Sequence, residues 1–140
     1  MTTDDILGQP QRRSIKALRY AVLMVTILYW LFILLMTHLP KPPHIGPQLN
    51  DKQQHFIGYG ILASLMYLSL WATRPRLRWI WLYAVAIVLA YGALDEWTQP
   101  LTGRTCDIYD WLADFAGVAA AVAVLAALRY CLIACRIEKR

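Results

Sequence analysis

The chain has few charged residues and few cysteines, and both shortages restrict the kind of protein it can be. Only 16% of its 140 residues are charged and 59% are hydrophobic, which excludes a disordered chain and an ordinary soluble domain with one core. Seven Gly and seven Pro, without any short period, exclude a collagen-like or low-complexity chain. The composition therefore indicates an integral membrane protein.

The three cysteines and three histidines form no local ligand motif. There is no CxxC pair, and His38, His44 and His55 lack the spacing of a zinc finger or of HExxH. Cys131 and Cys135 lie in an apolar run, where they are expected to pack as small hydrophobic residues. We therefore predict no metal site formed by a local motif; whether the acidic residues of the chain bind a metal stays open, and the sequence indicates no particular cofactor.

Uncharged stretches divide the chain into four segments that can cross a bilayer. The first, from Tyr20 to Thr37, has eighteen residues and is about 27 Å long as a helix. Asn50 or Asp51 is the expected N-cap of the second helix. We predict an all-α, four-helix transmembrane bundle of up-down topology. The chain is divided into an N-terminal arm (1–17), a single domain (18–135) and a basic tail (136–140). The helices of the domain are predicted at about 18–38, 54–73, 77–97 and 110–134.

The distribution of Lys and Arg predicts the orientation of the bundle. Of the fourteen basic residues, only Lys41, Lys52 and Arg104 lie at one end, and the other eleven lie at the opposite end. Because positive charge is retained on the cytoplasmic side, both termini are predicted to be cytoplasmic, in the inner membrane. The basic residues border membrane spans and line no groove, so the expected partner is the lipid bilayer and not nucleic acid.

Acidic residues concentrate at the predicted outward ends of the helices. Up-down connectivity brings together the start of the second helix, the end of the third and the start of the fourth, so these residues are expected to converge at one membrane face. They are six of the nine acids in the chain: Asp51, Asp95, Glu96, Asp107, Asp110 and Asp114.

Helical spacing places polar side chains on a shared face of each of these helices. A carboxylate within the bilayer is costly, so Asp114 is expected to face the bundle interior or water. Spacings of three or four residues relate Asp51, His55 and Tyr59 in the second helix, Asp95 or Glu96 to Gln99 in the third, and Asp107, Asp110 and Asp114 in the fourth.

Several of these side chains have both a functional and a structural interpretation. His55 can act as a general acid or base, or it can cap a helix or bond to a neighbouring one. Arg104 can pair with a nearby carboxylate or hold the anionic head group of a ligand. Two acids at a helix C-terminus oppose the helix dipole and need a reason. We predict catalytic roles for His55, Glu96 and Asp95 and ligand-binding roles for Tyr59, Gln99, Arg104, Asp110 and Asp114.

The fourth helix also carries a series of small residues at a spacing of four. Ala113, Gly117 and Ala121 form a small-xxx-small pattern, which permits close approach of another helix. The partner is either a helix of the same bundle, which we favour, or a second copy of the chain, so an oligomer stays open.

Four blocks of sequence resemble the VanZ-like family of small membrane proteins. The blocks are DKQQHFIGY (51–59), GALDEWTQ (92–99), GR (103–104) and DWLADFAG (110–117), within roughly the last two thirds of the chain. The family often has Asn where this chain has Asp114, which changes the hydrogen bonding and adds a charge. By this resemblance the family's motif positions are His55, Tyr59, Asp95, Glu96, Gln99, Arg104, Asp110, Asp114 and Gly117.

The resemblance implies a link to resistance against teicoplanin, a lipidated glycopeptide that acts outside the cytoplasmic membrane. We therefore expect an envelope protein whose outward polar pocket recognises or modifies a lipid-anchored ligand, such as a lipid-linked cell-wall precursor or a lipoglycopeptide. The alternative is a non-catalytic structural or assembly subunit, whose polar cluster holds the bundle together or docks a membrane partner. No nucleophile elbow, phosphate loop or zinc motif identifies a reaction, so catalysis stays open.

Overall fold

A computed structural model describes residues 9–40 and 49–138, and this part of the chain contains four long helices and no strand. The helices are α1 (Gln9–His38), α2 (Asp51–Thr73), α3 (Ile80–Thr98) and α4 (Ile108–Glu138), and a short 310 helix (Gln99–Thr102) follows α3. All four contain a stretch that is long and apolar enough to cross a membrane. The predicted all-α four-helix fold is confirmed. Residues 1–8 of the predicted arm, Lys41, His44 and the last two residues of the predicted tail lie outside the described residues.

The ends of the helices differ from the predicted bounds. Residues 9–17, predicted as an arm, belong to α1, and α4 continues to Glu138, into the predicted tail. The second helix begins three residues earlier than predicted, at Asp51, and the third begins three residues later, at Ile80. The predicted bounds followed the uncharged stretches, but a helix can continue through Lys and Arg because their long side chains reach water.

The start of α2 is closed by a capping box. The side chain of Asn50 accepts a hydrogen bond from the backbone N–H of Gln53 (2.8 Å), and the side chain of Gln53 accepts one from the backbone N–H of Asn50 (3.1 Å). Asn50 is thus the N-cap, one of the two predicted residues. The cap fixes the point at which α2 begins and therefore the position of His55 one turn further along.

The core of the bundle is formed around α2, which contacts each of the other three helices. Its buried residues Leu62, Ala63 and Tyr67 pack against apolar side chains of the neighbouring helices. The outer faces of the helices are also apolar, as expected for surfaces that contact lipid chains. The buried partners from α1, α3 and α4 are Ile33, Ile80, Ala84, Val88, Val118 and Val122.

The backbones of α2 and α4 are in direct contact at Gly117. A Cβ atom built on Gly117 would lie far inside van der Waals distance of the backbone carbonyl of Phe56, so only glycine fits this position. Gly60 faces the same stretch of α4, where a Cβ would lie 3.3 Å from the carbonyl oxygen of Gly117. The close approach predicted for the small residues of the fourth helix is therefore made within the chain at Gly117.

Replacing Gly117 should force α2 and α4 apart. Because a backbone carbonyl cannot move aside as a side chain can, we expect Gly117→Ala to lower the free energy of unfolding by about 3 kcal/mol or more. The measurement is an SDS titration in mixed micelles followed by circular dichroism. Gly58→Ala is the matched control, since its Cβ would meet only the end of the Ile33 side chain at 3.1 Å. Equal stability of the two variants would contradict the backbone contact.

Candidate functional site

Buried polar side chains gather at the end of the bundle where α1 and α3 finish and α2 and α4 begin. The predicted convergence of residues from three helices is confirmed as a geometric fact, and α1 contributes as well. At most 6% of each of these residues is exposed, although four of them are acids. We refer to the following set as the polar cluster: His55, Asp95, Glu96, Gln99, Asp110 and Asp114.

His55 lies between two carboxylates from different helices. Its Nδ1 atom is 2.9 Å from Oδ1 of Asp114 on α4 and 3.9 Å from Oε1 of Glu96 on α3. Tyr59 lies one turn further along α2, and its ring is stacked on the imidazole with a centroid distance of 6.0 Å. The face of α2 predicted from the spacing of His55 and Tyr59 is therefore the face that enters the polar cluster.

Glu96 is held by groups at the ends of α3 and α4. Its Oε1 atom accepts a hydrogen bond from Nε2 of Gln99 (3.0 Å), and its Oε2 atom accepts one from the backbone N–H of Asp107 (3.1 Å). Both carboxylate oxygens therefore have a fixed direction. The spacing related Gln99 to Asp95 or Glu96, and its Nε2 atom bonds to both, at 3.4 Å and 3.0 Å.

Asp95 is directed toward α1. Its Oδ1 atom accepts hydrogen bonds from the hydroxyl groups of Thr37 (2.9 Å) and Tyr91 (3.2 Å), and its Oδ2 atom accepts one from Nε2 of Gln99 (3.4 Å). Nδ1 of His38 lies 3.5 Å from the same carboxylate. Asp95 thus ties the C-terminal ends of α1 and α3 together.

The contribution of α1 is absent from the predicted site. From the sequence, His38 was considered only as a metal ligand, and Thr37 and Tyr91 had no predicted role. One signal was present, since Thr37 and His38 are polar residues at the outward end of an otherwise apolar helix. That position gives the right membrane face but does not reveal that Asp95 is the partner.

Lys52 is the cation of Asp107 and Asp110, a pairing that was not predicted from the sequence. Its Nζ atom is 3.0 Å from Oδ2 of Asp107 and 2.9 Å from Oδ1 of Asp110. The backbone N–H of Tyr109 and the Lys52 ammonium lower the pKa of the Asp107 carboxyl below its usual value. Asp107 therefore stays ionised at neutral pH and belongs to the water-exposed rim of the site.

Arg104 lies at the edge of the polar cluster. Its Nη2 atom is 3.6 Å from a carboxylate oxygen of Asp51, and its Nη1 atom donates to the backbone carbonyl of Met36 (3.4 Å). The partner of Arg104 was left open from the sequence, and in the structure Arg104 lies beside Asp51, the first acid of α2. This contact joins the 103–107 loop to the ends of α1 and α2.

A groove of about 360 Å³ opens beside the polar cluster, between α1 and α3. Its accessible surface is formed almost entirely by apolar atoms, because the carboxylate of Asp95 beside it is fully buried. It therefore suits a hydrocarbon chain, and polar residues at the helix ends lie next to it. The lining residues are Leu34, His38, Tyr91, Leu94, Asp95, Thr98, Leu101 and Thr102.

Two sets of side chains bring metal-binding atoms close together. One consists of His55, Glu96 and Asp114, all buried, and the other of Asp51, His55 and Asp110, and in each set the donor atoms lie within 4.8 Å of one another. Each set combines residues from different helices. Local spacing motifs in the sequence do not reveal these two sets, because the ligands become neighbours only in the folded bundle.

A comparison with protein families adds one finding. The family model described as VanZ/LLP1 matches residues 12–129, a span that includes every residue of the polar cluster and Arg104. No curated protein and no solved structure matches the chain.

The tie between α1 and α3 can be tested at Thr37. Thr37→Val keeps the shape of the side chain but removes a donor from a buried carboxylate, so we expect the free energy of unfolding to fall by about 2 kcal/mol. Thr26→Val is the matched control, because Thr26 bonds only to neutral groups, including Oγ of Ser69 at 2.7 Å, and should cost about 1 kcal/mol. SDS titration measures both losses. A smaller loss at Thr37 than at Thr26 would contradict the tie.

Proposed function

The chain belongs to the VanZ/LLP1 family and is a multi-pass membrane protein, and we propose that it recognises an amphiphilic ligand anchored in the outer leaflet of the bacterial cytoplasmic membrane. The observation that carries this proposal is the apolar groove between α1 and α3, which lies beside the polar cluster. Its volume of about 360 Å³ is within the range of small-molecule sites.

The apolar wall of the groove suits an acyl or prenyl chain. Leu94 is 52% exposed and Leu101 is 85% exposed, so these side chains face the lipid phase and do not fill the interior. A ligand that is already in the membrane can therefore reach the groove sideways, without passing through water. Burial of its hydrocarbon against Leu34, Leu94 and Leu101 provides contact without specificity.

Specificity would come from the polar end. His38 and Thr98 line this end of the groove, with the Nε2 atom of His38 3.0 Å from the hydroxyl of Thr98, whereas the carboxylate of Asp95 is fully buried. Arg104 is close by, and with described residues its guanidinium makes one hydrogen bond, to the carbonyl of Met36, and one ion pair at 3.6 Å, with Asp51. Its other donors can bind a phosphate or carboxylate head group in bidentate fashion.

The distribution of basic residues supports the choice of leaflet. The polar cluster lies at the end of the bundle opposite eleven of the fourteen Lys and Arg, and positive charge is retained on the cytoplasmic side. The ligands available at the outer face include lipid-linked cell-wall precursors and lipidated glycopeptides of the teicoplanin type. We propose one of these classes as the natural ligand, and a role in glycopeptide resistance follows if the lipoglycopeptide is that ligand.

Three other side chains of the polar cluster offer a route from binding to chemistry. His55 lies between Asp114 and Glu96 and can accept or donate a proton, and Glu96 faces the same interior. In a binding protein these groups only orient the head group. In an enzyme they would transfer a proton to or from it, and the experiment below distinguishes the two by looking for a product.

A structural or assembly role is the second candidate, and Asp95 is the observation that favours it. This carboxylate accepts hydrogen bonds from Thr37, Tyr91 and Gln99, which join two helices. Polar contacts between transmembrane helices often serve association alone. If this is the function of the whole polar cluster, neutralising Glu96 will impair folding or assembly, and no ligand will depend on it.

Filling the groove should abolish lipid capture. We expect Leu94→Trp to lower the amount of co-purifying envelope lipid at least tenfold, because the indole occupies the space of the hydrocarbon chain. Leu82→Trp is the matched control, since Leu82 is an exposed apolar residue of α3 outside the groove, 47% exposed against 52% for Leu94. Mass spectrometry quantifies lipid bound after incubation with an envelope extract that contains wall precursors, and teicoplanin is a second probe.

A third variant, Glu96→Gln, separates the candidate functions in the same assay. Conversion of a lipid by wild type alone identifies an enzyme, and retention without conversion that is lost in Glu96→Gln identifies a binding site. Equal lipid binding by wild type and Leu94→Trp would contradict the groove as the site. A Glu96→Gln protein that fails to fold would favour the structural role.

The orientation can be tested with the native cysteines. Cys106 lies in the loop before α4, Cys135 lies near the opposite end of that helix, and both are exposed. A chain that retains only Cys106 should react with a membrane-impermeant maleimide in intact cells, because a thiol reacts as a thiolate in water. A chain that retains only Cys135 should react only after permeabilisation. The reverse pattern would place the polar cluster on the cytoplasmic side.

A further inference from the structure

Three helices of the bundle each contribute one metal-binding side chain to the same interior point. We propose that His55, Glu96 and Asp114 bind one divalent transition-metal ion, such as Zn²⁺ or Mn²⁺, inside the bundle. All three residues are buried, and their donor atoms lie within 4.8 Å of one another. This inference is independent of the lipid ligand and concerns the chain by itself.

The donor distances match the coordination sphere of such an ion. Bonds from nitrogen and oxygen ligands to Zn²⁺ are about 2.1 Å long, so donors around a tetrahedral ion lie about 3.4 Å apart, a value between the two distances observed here. The distance from Nδ1 of His55 to Oδ1 of Asp114 is 2.9 Å, and that to Oε1 of Glu96 is 3.9 Å. An ion between these atoms replaces the proton that His55 and Asp114 share, and small side-chain shifts complete its coordination.

The negative charges at the site also favour a bound cation. The outer carboxylates of the site each contact Lys52 or Arg104, whereas Glu96 and Asp114 contact no Lys or Arg among residues 9–40 and 49–138. These two buried carboxylates share only the imidazole of His55. Buried charges are stable when they are paired or bound to a metal, and one divalent ion neutralises both.

Unpartnered polar atoms provide a separate indication of a ligand. Within the described part of the chain, Oδ2 of Asp114 and the hydroxyl of Tyr59 have no hydrogen-bond partner, although the two residues are 0% and 1% exposed. Both side chains are directed at Gly92, where a Cβ would lie 3.2 Å from Oδ2 of Asp114 and 3.1 Å from Cε1 of Tyr59. An ion on Asp114, with its bound water, supplies partners to both atoms.

The groups around the three ligands have the properties expected of a metal site. Gln99 and the backbone N–H of Asp107 hold Glu96 from outside, which is how outer groups usually orient a metal ligand. Exposed Asp51 and buried Asp110 form a second donor set with His55, on the side nearer the helix ends. One imidazole with two carboxylates favours a transition-metal ion such as Zn²⁺ or Mn²⁺ over Ca²⁺, which takes oxygen ligands alone.

The test measures the ion content of the purified full chain in nanodiscs that contain no wall precursor. Protein treated with a chelator is dialysed against Zn²⁺ or Mn²⁺, and bound metal is counted by mass spectrometry. We expect one ion per chain in wild type and at least a tenfold loss of affinity in Asp114→Asn and Glu96→Gln. Asp107→Asn is the matched control and should keep its ion, because Asp107 pairs with Lys52 at the rim.

A second measurement does not depend on the folding of any variant. Pulsed electron paramagnetic resonance of the Mn²⁺-loaded wild type should show coupling to an imidazole nitrogen. A wild-type content well below one ion per chain, or equal contents in wild type and Asp114→Asn, would overturn the proposal. Bound Mn²⁺ without nitrogen coupling would also overturn it, because His55 would then not be a ligand. Lipid capture by the groove is measured separately, so failure here leaves that result unaffected.

Discussion

The contact between the backbones of α2 and α4 at Gly117 is the constraint on which the rest of the site depends. The carbonyl of Phe56 lies where the side chain of any other residue at position 117 would be. His55 precedes Phe56, and Asp114 lies one turn before Gly117, so the same close approach brings the imidazole to 2.9 Å from the carboxylate. A larger residue at position 117 would separate the helices and with them the two polar side chains.

Adjacent carboxylates in α3 have different surroundings, which resolves the apparent conflict of two acids at a helix C-terminus. Asp95 faces α1 and accepts three hydrogen bonds, so its role is to hold that helix. Glu96 faces α2 and α4, and a backbone N–H from the start of α4 offsets the unfavourable dipole of its own helix. One acid thus joins α3 to α1, and the other joins α3 to the start of α4.

The candidate site was predictable in part, and the limit has a physical cause. The regular rise and rotation of a helix relate His55 to Tyr59, and the cost of a charge in lipid predicts that Asp114 faces inward. The partners of these side chains on other helices were not predictable. Lys52 binds Asp110, and Thr37 binds Asp95. Both contacts depend on the rotation and the relative height of the helices, which are set by packing.

The sequence by itself determined that the chain has four helices able to cross a membrane, because the length and apolarity of a helix that fits a bilayer are local properties. It also determined which residues gather at one end, since up-down connectivity follows from short connections. Only the tertiary structure decided which donor faces which acceptor, where the groove opens, and that His55, Glu96 and Asp114 meet at one point. These features depend on distances of a few ångströms between helices, and no periodicity within a single helix encodes them.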